Sequence, residues 1–284
     1  MVNPNKKSKN PLSRMNLRQK TLLTIGLTVL ILVLVVISSL FINAGDITTN
    51  FQAMNKPPSF EHLFGTDWMG RDMFTRTVKG LGLSVQIGAG ASILSSLIAI
   101  AMALMGSINK YLDSLMSWLI DLFLSIPHIL LIILISIGLG GGAFGVTIGV
   151  AVTHWTSLAR VLRAEIKQIQ TSDYVKLSER FGKSKLWIAR RHILPLVVTQ
   201  IIVGTILIFP HAIMHEASVT FLGFGLSPHE PAIGIILSES MKYLATGNWW
   251  LALFPGLALL ILVLLFDIAG ENIKKILDPT SANE

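Results

Sequence analysis

The sequence predicts an all-α, polytopic membrane protein with six transmembrane helices. Three observations carry this. The 284-residue chain is 52% hydrophobic and only 14% charged, where soluble domains hold about 25% charged residues. Its mean hydropathy is +0.65. Six apolar stretches meet or approach the roughly 20 residues needed to cross about 30 Å of hydrocarbon. A soluble core of this chain length cannot bury six such runs. The chain has no cysteine, which excludes disulfide frameworks, thiolate metal sites and cysteine nucleophiles.

Each run has its own character. Residues 22–42 are uncharged and bulky, so this helix belongs on the periphery. Residues 83–108 are uncharged and rich in Gly, Ala and Ser, which lets backbones approach closely in lipid and puts this helix at the centre. Residues 115–139 carry one charge, Asp121, and 144–158 are short but uncharged. Residues 193–214 are uncharged, and 249–266 open with the Trp249-Trp250 pair that suits a membrane interface. The first run is too long for a cleaved signal peptide, and no Ala-x-Ala site follows it.

Basic residues set the expected orientation. With both termini inside, eighteen Lys and Arg lie on the cytoplasmic side and five outside, as the positive-inside rule requires. The expected organisation is a basic tail (1–20), a first span (21–43), an extracytoplasmic loop (44–82), a five-helix core (83–270) and a cytoplasmic C-terminal tail (271–284). The outer loop mixes acids and bases and reads equally as a solvated face or a partner surface.

Residues 170–195, QTSDYVKLSERFGKSKLWIARRHILP, are the most informative stretch. Ser172 or Asp173 can cap a short helix starting near Tyr174. Gly182 ends it as a left-handed residue. Ser184 can cap a second helix over 185–192, and Pro195 suits the first turn of the next span. The product is a helix–turn–helix joined to a membrane helix, which can act as a lever. Gly182-Lys183-Ser184 mimics the end of a phosphate loop, but the required earlier Gly falls at Leu177, so no nucleotide site is expected.

This stretch resembles the coupling loop of binding-protein-dependent ABC importer permeases. Their signature runs Glu-Ala-Ala, three residues, Gly, nine residues, Ile-x-Leu-Pro. Gly182, Leu194 and Pro195 keep the spacing; Lys176-Leu177-Ser178 replaces the triplet and His192 the Ile. Further matches to the peptide/nickel branch span most of the chain. They are Phe64-Gly65-Thr66-Asp67 with Gly70-Arg71-Asp72 and Arg76, Asp121 with Ile126-Pro127, Ser218 with Phe221-Leu222-Gly223 and Gly225, and Leu277-Asp278-Pro279. The Gly-Thr-Asp block resembles the second of two permease types.

The resemblance implies a multi-pass protein of the prokaryotic cell membrane, working with a second permease subunit, two ABC ATPase subunits and an extracytoplasmic binding protein. It implies that this chain is no enzyme and binds no cofactor, ATP and Mg²⁺ being used by the ATPases, and that no nucleic acid is involved. Tyr174, Val175, Leu177, Ser178 and Phe181 would contact an ATPase, with Gly182 as hinge and Pro195 starting the driven span.

The histidines bear on cargo. His211 and His215, four apart, share one face of the fifth span, and His154 lies in the fourth. Neutral imidazole favours Ni²⁺, Co²⁺ and Zn²⁺. The His154-Trp155 pair and the His211/His215 pair resemble nickel-type permeases, while Glu216-Ala217-Ser218 fits the peptide type as well. The expected cargo is therefore nickel or a related metal, free or as a metallophore chelate, with His154, His211, His215 and Glu216 along its path. Dipeptide or oligopeptide uptake is the alternative. His128 and His229 read as loop or interface residues. An intramembrane metalloprotease is the remote alternative, and neither order of its metal-binding motif fits His211-x-x-x-His215-Glu216. A secondary carrier would need buried relay charges, which are scarce.

Overall fold

The computed structural model describes residues 17–277. The basic residues before 17, and Asp278-Pro279 of the C-terminal motif, lie outside them. The described residues form ten α-helices, with a long loop over 42–72, one isolated bridge, Thr66 to Asp72, and no strand. The helices are α1 (Leu17–Phe41), α2 (Met73–Gly106), α3 (Lys110–Ser125), α4 (His128–Gly138) and α5 (Gly142–Gln170). There follow α6 (Asp173–Arg180), α7 (Lys185–Ile188), α8 (Leu194–Phe221), α9 (Ile233–Met241) and α10 (Trp250–Leu277).

Four helical stretches are long and apolar enough to cross a membrane: α1, α2, α10 and the continuous run Lys185–Phe221 that contains α8. The bent pair α3 and α4 makes a fifth when it is counted as one broken span. The sixth expected span is α5. Its 29 residues would span about 43 Å, but Thr153, His154, Thr156 and Ser157 dilute its apolar character; Thr153 and Thr156 are buried against neighbouring helices, while His154 and Ser157 line a cavity.

The small residues act as expected. The apolar window of α2 is 44% buried and that of α1 only 11%, so α2 is central and α1 peripheral. Glycines also let α5 meet α4 closely. A Cβ on Gly149 would lie 3.0 Å from the Ile132 carbonyl, and one on Gly145 2.8 Å from that of Ser136.

Three expectations change. The third span is not one helix: α3 and α4 meet at 96°. Pro127 is the cause, since it forces Ile126 out of the helical region (φ −98°, ψ 134°) and becomes the cap of α4. The loop after α1 ends at Asp72, not 82. The Asp72 carboxylate accepts from Thr75 N–H and starts α2 ten residues early. At the C-terminus, α10 continues to Leu277, so helix fills the start of the expected tail.

Contacts sort the connections between two ends of the bundle. At one end, Asp113 of α3 pairs with Arg163 and Lys167 of α5, and Lys185 reaches the Ile108 carbonyl. At the other, the loop after α1 is tied to α2, α9 and α10 by buried charge. Asp67 is fully buried and accepts from Arg71 Nε and Arg76 Nη1, both at 2.7 Å. Arg76 also donates to Glu239 of α9 at 2.9 Å, and Trp250 of α10 to the Thr66 carbonyl at 3.4 Å. The end of this loop, residues 66–72, is therefore an ion-paired cap, while most of residues 43–63 remain exposed. Trp249 is exposed while Trp250 is buried, so only the first of the pair suits an interface.

Candidate functional site

A cavity of about 410 Å³ opens between α5 and α8. Its wall is mostly apolar, with Leu158, Val203 and Leu207, and it carries His128, His154, His211 and His215. Three helices bring the imidazoles together. The bend at Pro127 puts His128 at the first position of α4, and His154 lies midway along α5. The i,i+4 spacing stacks His211 and His215 on α8. Ring centroids are 4.8 Å apart for His154 and His215, 5.3 Å for His128 and His154, and 6.4 Å for His128 and His215.

Hydrogen bonds assign two tautomers. His154 Nδ1 lies 3.1 Å from the Val150 carbonyl, and His211 Nδ1 3.0 Å from that of Leu207. A carbonyl only accepts, so each Nδ1 carries the proton and each Nε2 keeps a free lone pair. His128 Nδ1 is buried without a partner. The cavity thus presents imidazole nitrogens on a largely apolar wall that also carries Gln200 and Lys274. Among the described residues, no three His, Asp or Glu side chains are arranged to hold one metal ion.

Of the four residues expected along the path, three line this cavity. Glu216 does not. Its side chain is fully buried against α2, accepting from Ser84 Oγ at 2.6 Å and Thr220 Oγ1 at 3.1 Å. A carboxylate in lipid needs donors, and α2 supplies one on the opposite side of α8. His128, expected in a loop, joins the cavity instead. The proline before it was the available signal, because a Pro at the cap makes the next residue the start of a helix.

The second functional region is the segment 170–195. Ser172 is the N-cap residue of α6, as expected, though its side chain makes no capping bond. Gly182 adopts φ +72° with N–H donated to the Glu179 carbonyl at 2.9 Å, and Lys183 N–H returns to Ser178. No atom lies within 4 Å of a Cβ built there, so backbone conformation alone demands glycine. Ser184 caps α7 through Trp187 N–H.

The expected helix 185–192 is instead the short α7 followed by a wide π turn, Ala189–Ile193. Pro195 explains this. Its ring collides with the carbonyl four residues back and offers it no N–H, and the wider turn gives way, with Leu194 N–H bonding five residues back to Ala189.

The expected contact residues divide. Tyr174, Leu177 and Phe181 are exposed, Phe181 by 73%. Val175 is not: at 1% exposure it packs into the core with Ile166, Ile188 and Ile193. Ser178 turns inward to His192. Leu186 (79% exposed) and Trp187 extend the exposed apolar surface, and the sequence reading passed over both.

Comparison with known proteins follows this geometry. A family model described as binding-protein-dependent transport system inner membrane component matches residues 95–280. A putative peptide transport system permease protein of Brucella suis biovar 1 (strain 1330) is 32% identical over 275 residues, 96% of this chain and 93% of that one. The oligopeptide transport system permease protein OppC of Bacillus subtilis (strain 168) is 31% identical over 268 residues, 92% and 87%. The dipeptide transport system permease protein DppC of the same strain is 32% identical over 229 residues, 79% and 71%. Among solved structures, an inward-facing MetNI methionine ABC transporter aligns with TM-score 0.60 and 19% identity, over 72% of this chain and 98% of that one. The names of these relatives speak for peptides, the alternative weighed from the sequence, rather than for nickel.

Proposed function

This chain belongs to the family of binding-protein-dependent transport system inner membrane components, and from that premise we propose that it is one permease subunit of an ABC importer for peptides or peptide-like compounds. A second permease subunit completes the path. Two ATPase subunits bind and hydrolyse ATP with Mg²⁺, and an extracytoplasmic binding protein delivers cargo. Both termini lie on the cytoplasmic side, the orientation favoured by the distribution of basic residues.

The observation that carries this reading is the segment 170–195. Its apolar side chains Tyr174, Leu177, Phe181, Leu186 and Trp187 are exposed on a short two-helix unit, and that unit runs without a break into α8, which lines the cavity. Exposed apolar surface of this kind marks a contact with a protein or with lipid, and on this reading the contact is an ATPase subunit. A partner that moves α6 moves a wall of the path. Such coupling requires the ATPases to favour one permease state when nucleotide is bound.

The cavity supports a second reading of cargo, a transition metal such as nickel or cobalt carried as a chelate. Four imidazoles line it beside Lys274 and with no carboxylate, and imidazole nitrogens suit such ions. An ion held there must complete its coordination from the cargo and from rotated rings, since three nitrogens do not converge.

One experiment separates the two. Uptake of labelled dipeptides, oligopeptides and ⁶³Ni²⁺ is compared between a strain lacking this gene and its complement. Loss of peptide uptake alone supports the first reading, and loss of metal uptake alone the second. Retention of both would sink the assignment as an importer of either.

A further inference from the structure

The segment 170–195 contains a side-chain link that its signature lacks. Ser178 stands where the signature has Ala, and His192 where it has Ile. In the structure these two departures meet: Ser178 Oγ and His192 Nε2 are 3.0 Å apart. The direction of the bond follows from the proton count. Ser178 Oγ donates its only hydrogen to the Tyr174 carbonyl at 2.9 Å. It can only accept from the ring, so His192 donates from Nε2. Two aromatic side chains hold that ring edge to face, Tyr174 at 5.4 Å and Trp187 at 5.3 Å between centroids.

The mechanical need for such a link is plain from burial. Among its eight residues, α6 buries only Val175. One buried anchor and the neighbouring edge contact of Tyr174 with His192 both hold a helix about 12 Å long near its start. Ser178, three residues after Val175, lies on the same face and supplies a further fixed point. Its partner sits in the π turn that opens into α8. Among the described residues, this is the one side-chain hydrogen bond between α6 and the run from α7 to α8.

We infer that His192 is a positioning residue of the coupling segment: with Ser178 it fixes the angle between α6 and α8, so that a push on α6 reaches the span instead of rotating α6 in place. This rests on the proposed docking of an ATPase on the segment. A wide turn next to Pro195 is a compliant joint, and the link across it stiffens the joint without filling it.

The test uses the complete transporter in proteoliposomes, reading cargo-stimulated and basal ATPase activity together. His192→Ala is expected to lower the stimulated activity about three- to tenfold, the range of one lost hydrogen bond, with basal activity and ATPase co-purification unchanged. His192→Gln, whose amide also donates, should restore most of the stimulation, which mere loss of volume or charge would not explain. Ser178→Ala on top of His192→Ala should add nothing, because both remove one interaction. Full stimulation in His192→Ala, no rescue by Gln, or independent multiplying effects of the two substitutions would each overturn the inference. If even the unmodified chain fails to co-purify with ATPases, the proposed function falls, and this inference falls with it.

Discussion

The two polar ends of the bundle solve opposite problems. The loop after α1 closes on itself. Asp67 is fully buried and saturated by two arginines and two backbone N–H groups, and Glu239 extends the network to α9. The segment 170–195 does the reverse. It buries Val175, Ile188 and Ile193 as anchors, links α6 to the turn before α8 through His192, and leaves the large apolar side chains of Tyr174, Leu177, Phe181, Leu186 and Trp187 exposed. Buried charge fixes the first end, although Phe51, Phe60 and Leu63 of its loop also stay exposed, whereas the second end is held mainly by apolar anchors. The contrast separates residues that hold the fold from residues that serve an exchange with another protein.

Substitutions should respect that division. The largest effect on stability is expected from Asp67→Asn, which leaves two guanidinium groups buried beside one partial partner and should cost about 3–5 kcal/mol. Thermal melting of the purified chain reads this, and a melting temperature equal to the unmodified protein would break the contrast. Gly182→Pro ranks next. It imposes a negative φ where +72° is observed and removes the N–H bonded to Glu179, a local cost on the order of 1–3 kcal/mol. Membrane insertion should survive, while cargo-stimulated ATPase activity is abolished. Leu186→Ser is the smallest for stability, within about 0.5 kcal/mol as for other exposed positions. It should still reduce stimulated activity several-fold, and an unchanged activity would remove Leu186 from the docking surface.

Local signals made much of this legible in the sequence. Uninterrupted apolar runs marked the spans, since lipid leaves the backbone few choices. Gly182 and Ser184 marked a turn and a cap because each satisfies a backbone demand within a few residues. Long-range pairings were not legible. Arg76 and Glu239 are 163 residues apart, and His128 meets His154 through a bend that only the tertiary packing of α4 on α5 orients. Glu216 looked like a neighbour of His215 and proved to face the other way, because adjacent helical residues diverge by about 100°. Val175 and Tyr174 differ for the same reason: an eight-residue helix with apolar residues on several sides does not declare which of them is the anchor.

The kink at Ile126-Pro127 has a consequence for solvation. At 16 residues, α3 rises about 24 Å, less than the thickness of the acyl layer, so its end falls at membrane depth. There the last carbonyls of α3 lose their helical donors, and Ser125, Ile126 and Pro127 are exposed on this subunit. Open backbone of this kind persists in a bilayer only against protein or water. The Ser125 hydroxyl meets the Leu122 carbonyl there, and in a bilayer the remaining open backbone is expected to face water or a neighbouring subunit in preference to acyl chains.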